Sequence, residues 1–384
     1  MRYLDHAATS PMTPAVAEAM ASAQGIVGNP SSIHGAGRAA RRVVEEARET
    51  IADRLGARPG EVVFTSGGTE ADNLAIKGIW WARHAADPRR TRLLVSAVEH
   101  HAVLEPAEWM RDAQGAHLEL LPVDRDGILD LDALEEAIGR DPSTVALVSV
   151  MWANNEVGSL QPVDAVVAIA ARHGIPVHSD AVQAAGVLPI DFGASSLHAL
   201  TVSAHKLGGP VGVGALLLRR DLTPVPVLHG GGQERDVRSG TIAMPLIAGM
   251  AAAYRDVPDV TRIAGLRDRL VDGALALGLG ATLRGHRSLR LPGKAHFTVD
   301  GCEGDALLML LDTAGIAVST GSACSAGIPQ ASHVLLAMGL TEPEARGAIR
   351  CTLGRTTTED DVDALLAALP DAVTRARRAG LMPR

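Results

Sequence analysis

Between residues 61 and 220 short, largely apolar runs alternate with stretches of helical spacing. The runs are EVVFTS (61–66), RLLVSA (92–97), HLELLPV (117–123), VALVSVMW (145–152), IPVHSD (175–180), LHALTVSA (197–204) and GALLLRR (214–220). Strands of continuous apolar character are buried on both faces, which predicts a largely parallel sheet with helices packed above and below it. Helical patterns such as LDALEEAIGR after Asp130 and PVDAVVAIAARHG (162–174) fill the gaps. Beyond about Tyr254 the rhythm changes. A helix, RIAGLRDRLVDGALALG, precedes strands around AHFTVD and GIAVST and helices near DALLMLLD, SHVLLAMG and DDVDALLAALPDAVTRARRAG. This predicts an α/β chain with a large domain over 15–254 and a smaller α+β C-terminal domain over 255–384, rejoined by the N-terminal segment 1–14.

A length of 384 residues suits two domains, and 47% hydrophobic residues supply their cores. Aromatics are only 2%, so Leu, Val, Ile and Ala must do the packing. The net charge of −8 argues against nucleic acid or an anionic membrane as a partner. In MRYLDHAATSP, Asp5 and His6 stand where a signal peptide needs an apolar core, and no run reaches the roughly 18 apolar residues of a membrane span. A soluble cytoplasmic protein is expected. The three cysteines form no CxxC pair, which fits neither a disulfide framework nor a zinc site, and no metal is expected. Cys302 and Cys351 adjoin apolar runs and read as small buried hydrophobes. Cys324 lies in STGSACSAG, whose small polar residues suggest an accessible loop and a reactive thiol.

Other residues fall at strand ends, where α/β sheets bind ligands. Asp180 closes one strand and Lys206 follows the next, in SAHKLGGP. The pair reads as an ion pair or as a pyridoxal-phosphate (PLP) site, in which lysine carries the aldehyde and the acid keeps the pyridine nitrogen protonated. Gly208 and Gly209 would let the backbone pass close beneath a flat cofactor. FTSGGTEADNLAIKG places Gly67, Gly68 and Thr69 between a strand and a helix, either a phosphate cradle or an ordinary N-cap. The histidines of VEHHAVL offer a flat ring for stacking, and MWANNEVGSLQP offers Asn154, Asn155 and Glu156. HGGGQERDVRSGT reads as a flexible loop or as a site or subunit contact.

These stretches, with LDHAATSP, GNPSSIHGAGRAA, HSDAVQAAG and IRCTLGRTTTEDD, resemble in order the signatures of the NifS/IscS-type cysteine desulfurases, class V members of the fold-type I PLP transferases. The resemblance runs from Tyr3 to about Asp361. It implies PLP as cofactor, with Lys206 carrying it, Asp180 at the pyridine nitrogen, and His100 stacked on the ring and assisting proton transfer. Gln183 and Asn155 would meet the phenolate side. Thr69, with Gly68 in the same cradle, Ser203 and His205 would hold the phosphate, joined by Thr241 from the second subunit of a homodimer. Arg350 would grip the substrate carboxylate, helped by Asn29 and Asn155, and Cys324 would accept sulfur from L-cysteine as a persulfide. A sulfur-acceptor protein, a scaffold or a tRNA-thiolation enzyme, is the implied partner. Two departures stand out: Ser179 precedes the aspartate where the family commonly has Thr, and CSAGIPQASHV replaces the common Leu-Glu-Pro-Ser continuation. The alternatives on the same scaffold are a selenocysteine lyase, an aminotransferase that would not need Cys324, and a non-catalytic sulfur-carrier or assembly subunit.

Overall fold

The computed structural model describes residues 1–321 and 331–380. Its strands are β1 (Arg2–Tyr3), β2 (Val62–Thr65), β3 (Arg92–Ser96), β4 (His117–Leu121), β5 (Val145–Ser149), β6 (Val177–Asp180), β7 (Ala199–Ser203), β8 (Gly214–Leu218), β9 (Ala281–Leu283), β10 (Lys294–Val299), β11 (Ile316–Ala317) and β12 (Ala348–Thr352). The seven apolar runs form β2 to β8, one sheet in the order β2-β8-β7-β6-β5-β3-β4. Neighbours from β7 to β4 pair in parallel, while β8 runs antiparallel between β7 and β2.

Alternate residues of this sheet feed two apolar layers. Val148, Leu200 and Leu217 pack with the helical Val44, Ile51, Val166 and Ile247 on one side. Leu93, Leu147 and Leu216 pack with Leu74, Ile79, Val103 and Met110 on the other. Each such side chain contributes on the order of 1.5–3 kcal/mol through burial. Every residue of β2, β5, β6, β7 and β8 is buried, as continuous apolar runs require. β4 departs from that expectation. It is one of the two sheet edges, and unlike β2 at the other it is open to solvent, with His117 and Leu120 exposed on it.

A further core gathers Leu4, Ile263, Leu270, Phe297, Ile349 and Leu365 around the antiparallel sheet β9-β10-β12. β1 pairs with β11, and Thr352 N donates to Leu4 O at 2.7 Å, so the start of the chain is stitched into this later core. No helix among the described residues is long and apolar enough to cross a membrane. Nor do the described residues contain a His/Cys/Asp/Glu group able to hold a metal ion.

Candidate active site

β2, β3, β5, β6 and β7 point their carboxyl ends toward the same edge of the sheet, and the loops leaving them enclose a cavity of about 250 Å³. Gly68, Thr69, His100, Asn155, Asp180, Gln183, Ser203, His205 and Lys206 all line it. Residues spread over 138 positions are thus brought together by one strand order. Asp72, Ala102, Met151 and Val182 complete the lining and were not singled out from sequence. Asp72 had a readable signal, since it stands one helical turn beyond Thr69 in the helix Gly68–Asn73 and so shares its face.

Lys206 lies two residues beyond the turn that ends β7, under the N-terminal segment. Its Nζ donates to Ala7 O at 2.7 Å and to Ala8 O at 2.8 Å. Burial, with the nearby Arg350 charge, pushes its ammonium down to about 8, while Asp180 and Asp5 oppose that fall. Burial pushes Asp180 up to about 6, against the hydrogen bond from Val182 N and the charge of Lys206. At neutral pH Asp180 is therefore ionised. Asp72 and Glu99 are buried near it, and burial followed by the Asp180 charge raises both well above the usual carboxylate range. Asp72 Oδ1 and Glu99 Oε2 have no hydrogen-bond partner among the described residues, so little opposes the rise that burial and the Asp180 charge impose. His178 Nε2 is 3.5 Å from Asp72 Oδ1, but burial pushes His178 down to about 3, so its imidazole is neutral and the contact is no ion pair.

His100 caps the helix His101–Gln114, its Nδ1 accepting from Ala102 N at 3.1 Å. That bond fixes the ring plane at the cavity wall. Burial and the Lys206 charge push the imidazole down to about 4, leaving it neutral. His205 is also pushed to about 4, by burial and Lys206. Arg350 is buried on β12, with NH1 donating to Asn155 O at 3.0 Å and NH2 to Asp5 Oδ1 at 2.9 Å. Its Nε has no partner among the described residues.

Some expected residues are placed elsewhere. Asn29 is exposed, its Oδ1 accepting from Ser31 N at 2.9 Å, and it does not line the cavity. Thr241 lines a separate cavity with Ser66, Gly212 and Arg238. Gly208 and Gly209 serve close packing rather than a cofactor face. Gly208 has φ +82° with a Cβ position 3.1 Å from Pro11 O, and a Cβ on Gly209 would meet Ala204 at 2.8 Å. Cys324 lies outside the described residues.

The residues present fit PLP. Lys206 supplies an amine of lowered basicity, Asp180 an ionised carboxylate, and Ser203 a buried hydroxyl with no partner among the described residues. Gly68 leaves room that a side chain would fill, since a Cβ there would lie 2.8 Å from Val182 Cγ2. When bound, PLP supplies an electron sink for the pair released at the substrate Cα.

The aminotransferase class-V family model matches residues 2–365. An IscS-like cysteine desulfurase of Mycobacterium tuberculosis is 58% identical over 99% of this chain and 98% of that protein. Among solved structures, a NifS-like protein superposes with a TM-score of 0.89 at 35% identity, covering 98% of this chain and all of the other. A structure described as SspA in complex with cysteine gives a TM-score of 0.82 at 32% identity over 93% of this chain and all of that one. A lysine and an acid at neighbouring strand ends, a cradle of small residues and matches along nearly the whole length lead to one conclusion: the chain belongs to the class-V aminotransferase family, among its cysteine desulfurases.

Proposed function

We propose that this chain removes sulfur from L-cysteine, releasing L-alanine and leaving a persulfide on Cys324. The observation that carries this reading is the shared cavity of Lys206, Asp180, His100, Thr69 and Ser203. Arg350, held between Asn155 O and Asp5, binds the substrate carboxylate through its planar fork. Lys206, with its pKa near 8, takes the proton from the substrate Cα at Nζ. His100, neutral and held by its helix cap, would stack against the ring of bound PLP and pass protons. Cys324 as thiolate attacks the substrate sulfur. The balance is cysteine plus enzyme thiol giving alanine plus enzyme persulfide, in which the substrate C–S bond breaks, an S–S bond forms and Cβ gains a proton.

The reading includes a homodimer whose Thr241 completes the neighbouring phosphate site, a cytoplasmic setting, and an acceptor protein that takes the sulfur toward iron–sulfur clusters or thiolated tRNA. It also takes 15–254 and 255–384 as two domains rejoined by 1–14. The deciding experiment incubates the purified holoprotein with cysteine and a thiol reductant and measures alanine and sulfide together. Equal amounts support the desulfurase. A keto acid that keeps the sulfur, with neither alanine nor sulfide, would make it an aminotransferase, and a far higher rate on selenocysteine would make it a lyase for that substrate.

A further inference from the structure

Lys294 opens β10, where its register partner is Thr352, and its side chain is buried at the site. Nζ donates to Gln183 Oε1 at 2.8 Å and to Asn155 O at 2.9 Å. Both acceptors are already part of the site. Asn155 O also accepts from Arg350 NH1, so one carbonyl joins Lys294 to the arginine assigned to the substrate carboxylate. Gln183 Nε2 donates to Ala7 O at 3.2 Å, and the same oxygen accepts from Lys206 Nζ at 2.7 Å. A continuous chain of hydrogen bonds therefore runs from Lys294 through Gln183 and Ala7 O to Lys206.

No acidic group meets Lys294 at ion-pair distance among the described residues. Asp5 and Glu156 are the acids whose charge reaches it, and both are engaged elsewhere: Asp5 with Arg350, Glu156 with the Ser332 hydroxyl at 2.5 Å. Arg350 and Lys206 face it as like charges, and with burial they push its ammonium well below the ordinary lysine range. A lysine is costly to bury in such a place. Its geometry nevertheless has one definite consequence. Charged or neutral, the nitrogen turns N–H bonds toward two oxygens, and an amide opposite an N–H donor presents oxygen rather than NH2. Gln183 is then held with Oε1 toward β10 and its NH2 toward Lys206.

We infer that Lys294 is a positioning residue that locks the Gln183 amide, so that Gln183 offers a donor and not an acceptor to the phenolate oxygen of PLP. The inference rests on the proposed placing of Gln183 on the phenolate side. Without Lys294 only the 3.2 Å bond to Ala7 O would orient the amide, which would then spend part of its time presenting Oε1 to an anion and weaken cofactor binding without touching Lys206 or Asp180.

The test is a mutant cycle read by PLP affinity, with the full chain stripped of cofactor and titrated while the visible band is followed. Lys294→Met and Gln183→Ala should each weaken PLP binding about tenfold. The double variant should be no weaker than Gln183→Ala alone, because Lys294 acts through the amide. Lys294→Gln, which keeps an N–H donor, should regain part of the loss, and Lys294→Leu, which also lacks a donor, replaces Lys294→Met in the cycle if the latter does not fold. Losses that multiply to about a hundredfold would show that Lys294 has only a general structural role, and unchanged affinity in Lys294→Met would likewise overturn the inference. If Gln183→Ala binds PLP as the parent does, the placing of Gln183 itself falls, and the inference falls with it.

Discussion

Glu234 receives both terminal nitrogens of Arg48, at 2.8 and 2.7 Å, and a third bond from Phe64 N at 2.8 Å. Both side chains are buried, and Glu234 begins a run of three residues at positive φ, 46°, 59° and 63° through Asp236. L-residues resist that conformation, so the carboxylate acts as the anchor of a strained turn. The turn belongs to HGGGQERDVRSGT, whose glycines suggested either a flexible loop or a contact. Its Glu234 end is pinned to β2 through Phe64 N, a few residues before Thr241.

Breaking this anchor has a definite cost. Arg48→Met leaves Glu234 buried with one backbone donor, and stability should fall by about 3–5 kcal/mol. The pair Arg48→Met with Glu234→Leu should recover much of it, since no unpaired charge remains. Denaturant midpoints of the single and double variants measure the difference. Equal losses in both would mean that the turn depends on hydrogen bonds to the carboxylate rather than on charge pairing.

Lys206 titrates near 8 in the cofactor-free chain, and that sets how PLP is captured. The aldehyde reacts with neutral amine, which is the deprotonated form, so capture quickens as pH rises. Between pH 7 and pH 9 the rate should increase about tenfold and then level off, whereas an ordinary lysine near 10.4 would give about a hundredfold with no plateau. Stopped-flow mixing of stripped protein with PLP reads the profile. Lys206→Ala should show no visible band from a lysine-bound cofactor near neutral pH.

Thr241 does not line the PLP cavity of its own chain, and the proposal gives it to the site of a neighbouring subunit. Mixed dimers test this directly. Lys206→Ala and Thr241→Val chains, each of low activity alone, should form hybrids in which one site carries both lesions and the other carries neither. Activity regained on mixing, up to a quarter of the parent value per chain at random exchange, supports the shared site. A fully active monomer by sedimentation would exclude it.

The sheet and most of the cavity were legible because both obey local rules. Apolar runs become the buried strands of the sheet, and polar residues after them collect at one edge, which brought out Asp180, Lys206 and Thr69. What stayed hidden depends on distant pairing. Lys294 reads as one lysine in LPGKAHFTVD, and only the register of β10 against β12 carries it to Gln183. The Ala7 and Ala8 carbonyls over Lys206 have no sequence signature at all, since any residue supplies a carbonyl. Glu99 and Asp72 were passed over for a related reason. Each looks like a solvated charge until three acids are found packed around one strand end.

The proposed sulfur acceptor, Cys324, can be set against the other two thiols of the chain. Cys351 is buried on β12, and burial with the charge of Asp5 pushes its thiol up to about 12. Cys302 is also buried, its Sγ directed to Val373 O at 3.8 Å, and burial raises its pKa too. Neither forms thiolate readily at neutral pH, and thiolate is the nucleophile. That leaves Cys324, outside the described residues, in a segment of small polar residues. The Cys324→Ala protein should keep its yellow colour and still bind cysteine, because Lys206 and Arg350 are untouched, yet release almost no alanine and carry no persulfide. Cys302→Ala and Cys351→Ala should keep parental persulfide formation, with at most a modest loss of stability from the small cavities they leave. Mass spectrometry after one turnover, looking for a gain of one sulfur atom on each variant, gives the answer. A persulfide on the Cys324→Ala protein, or near-normal alanine release from it, would remove Cys324 from the mechanism.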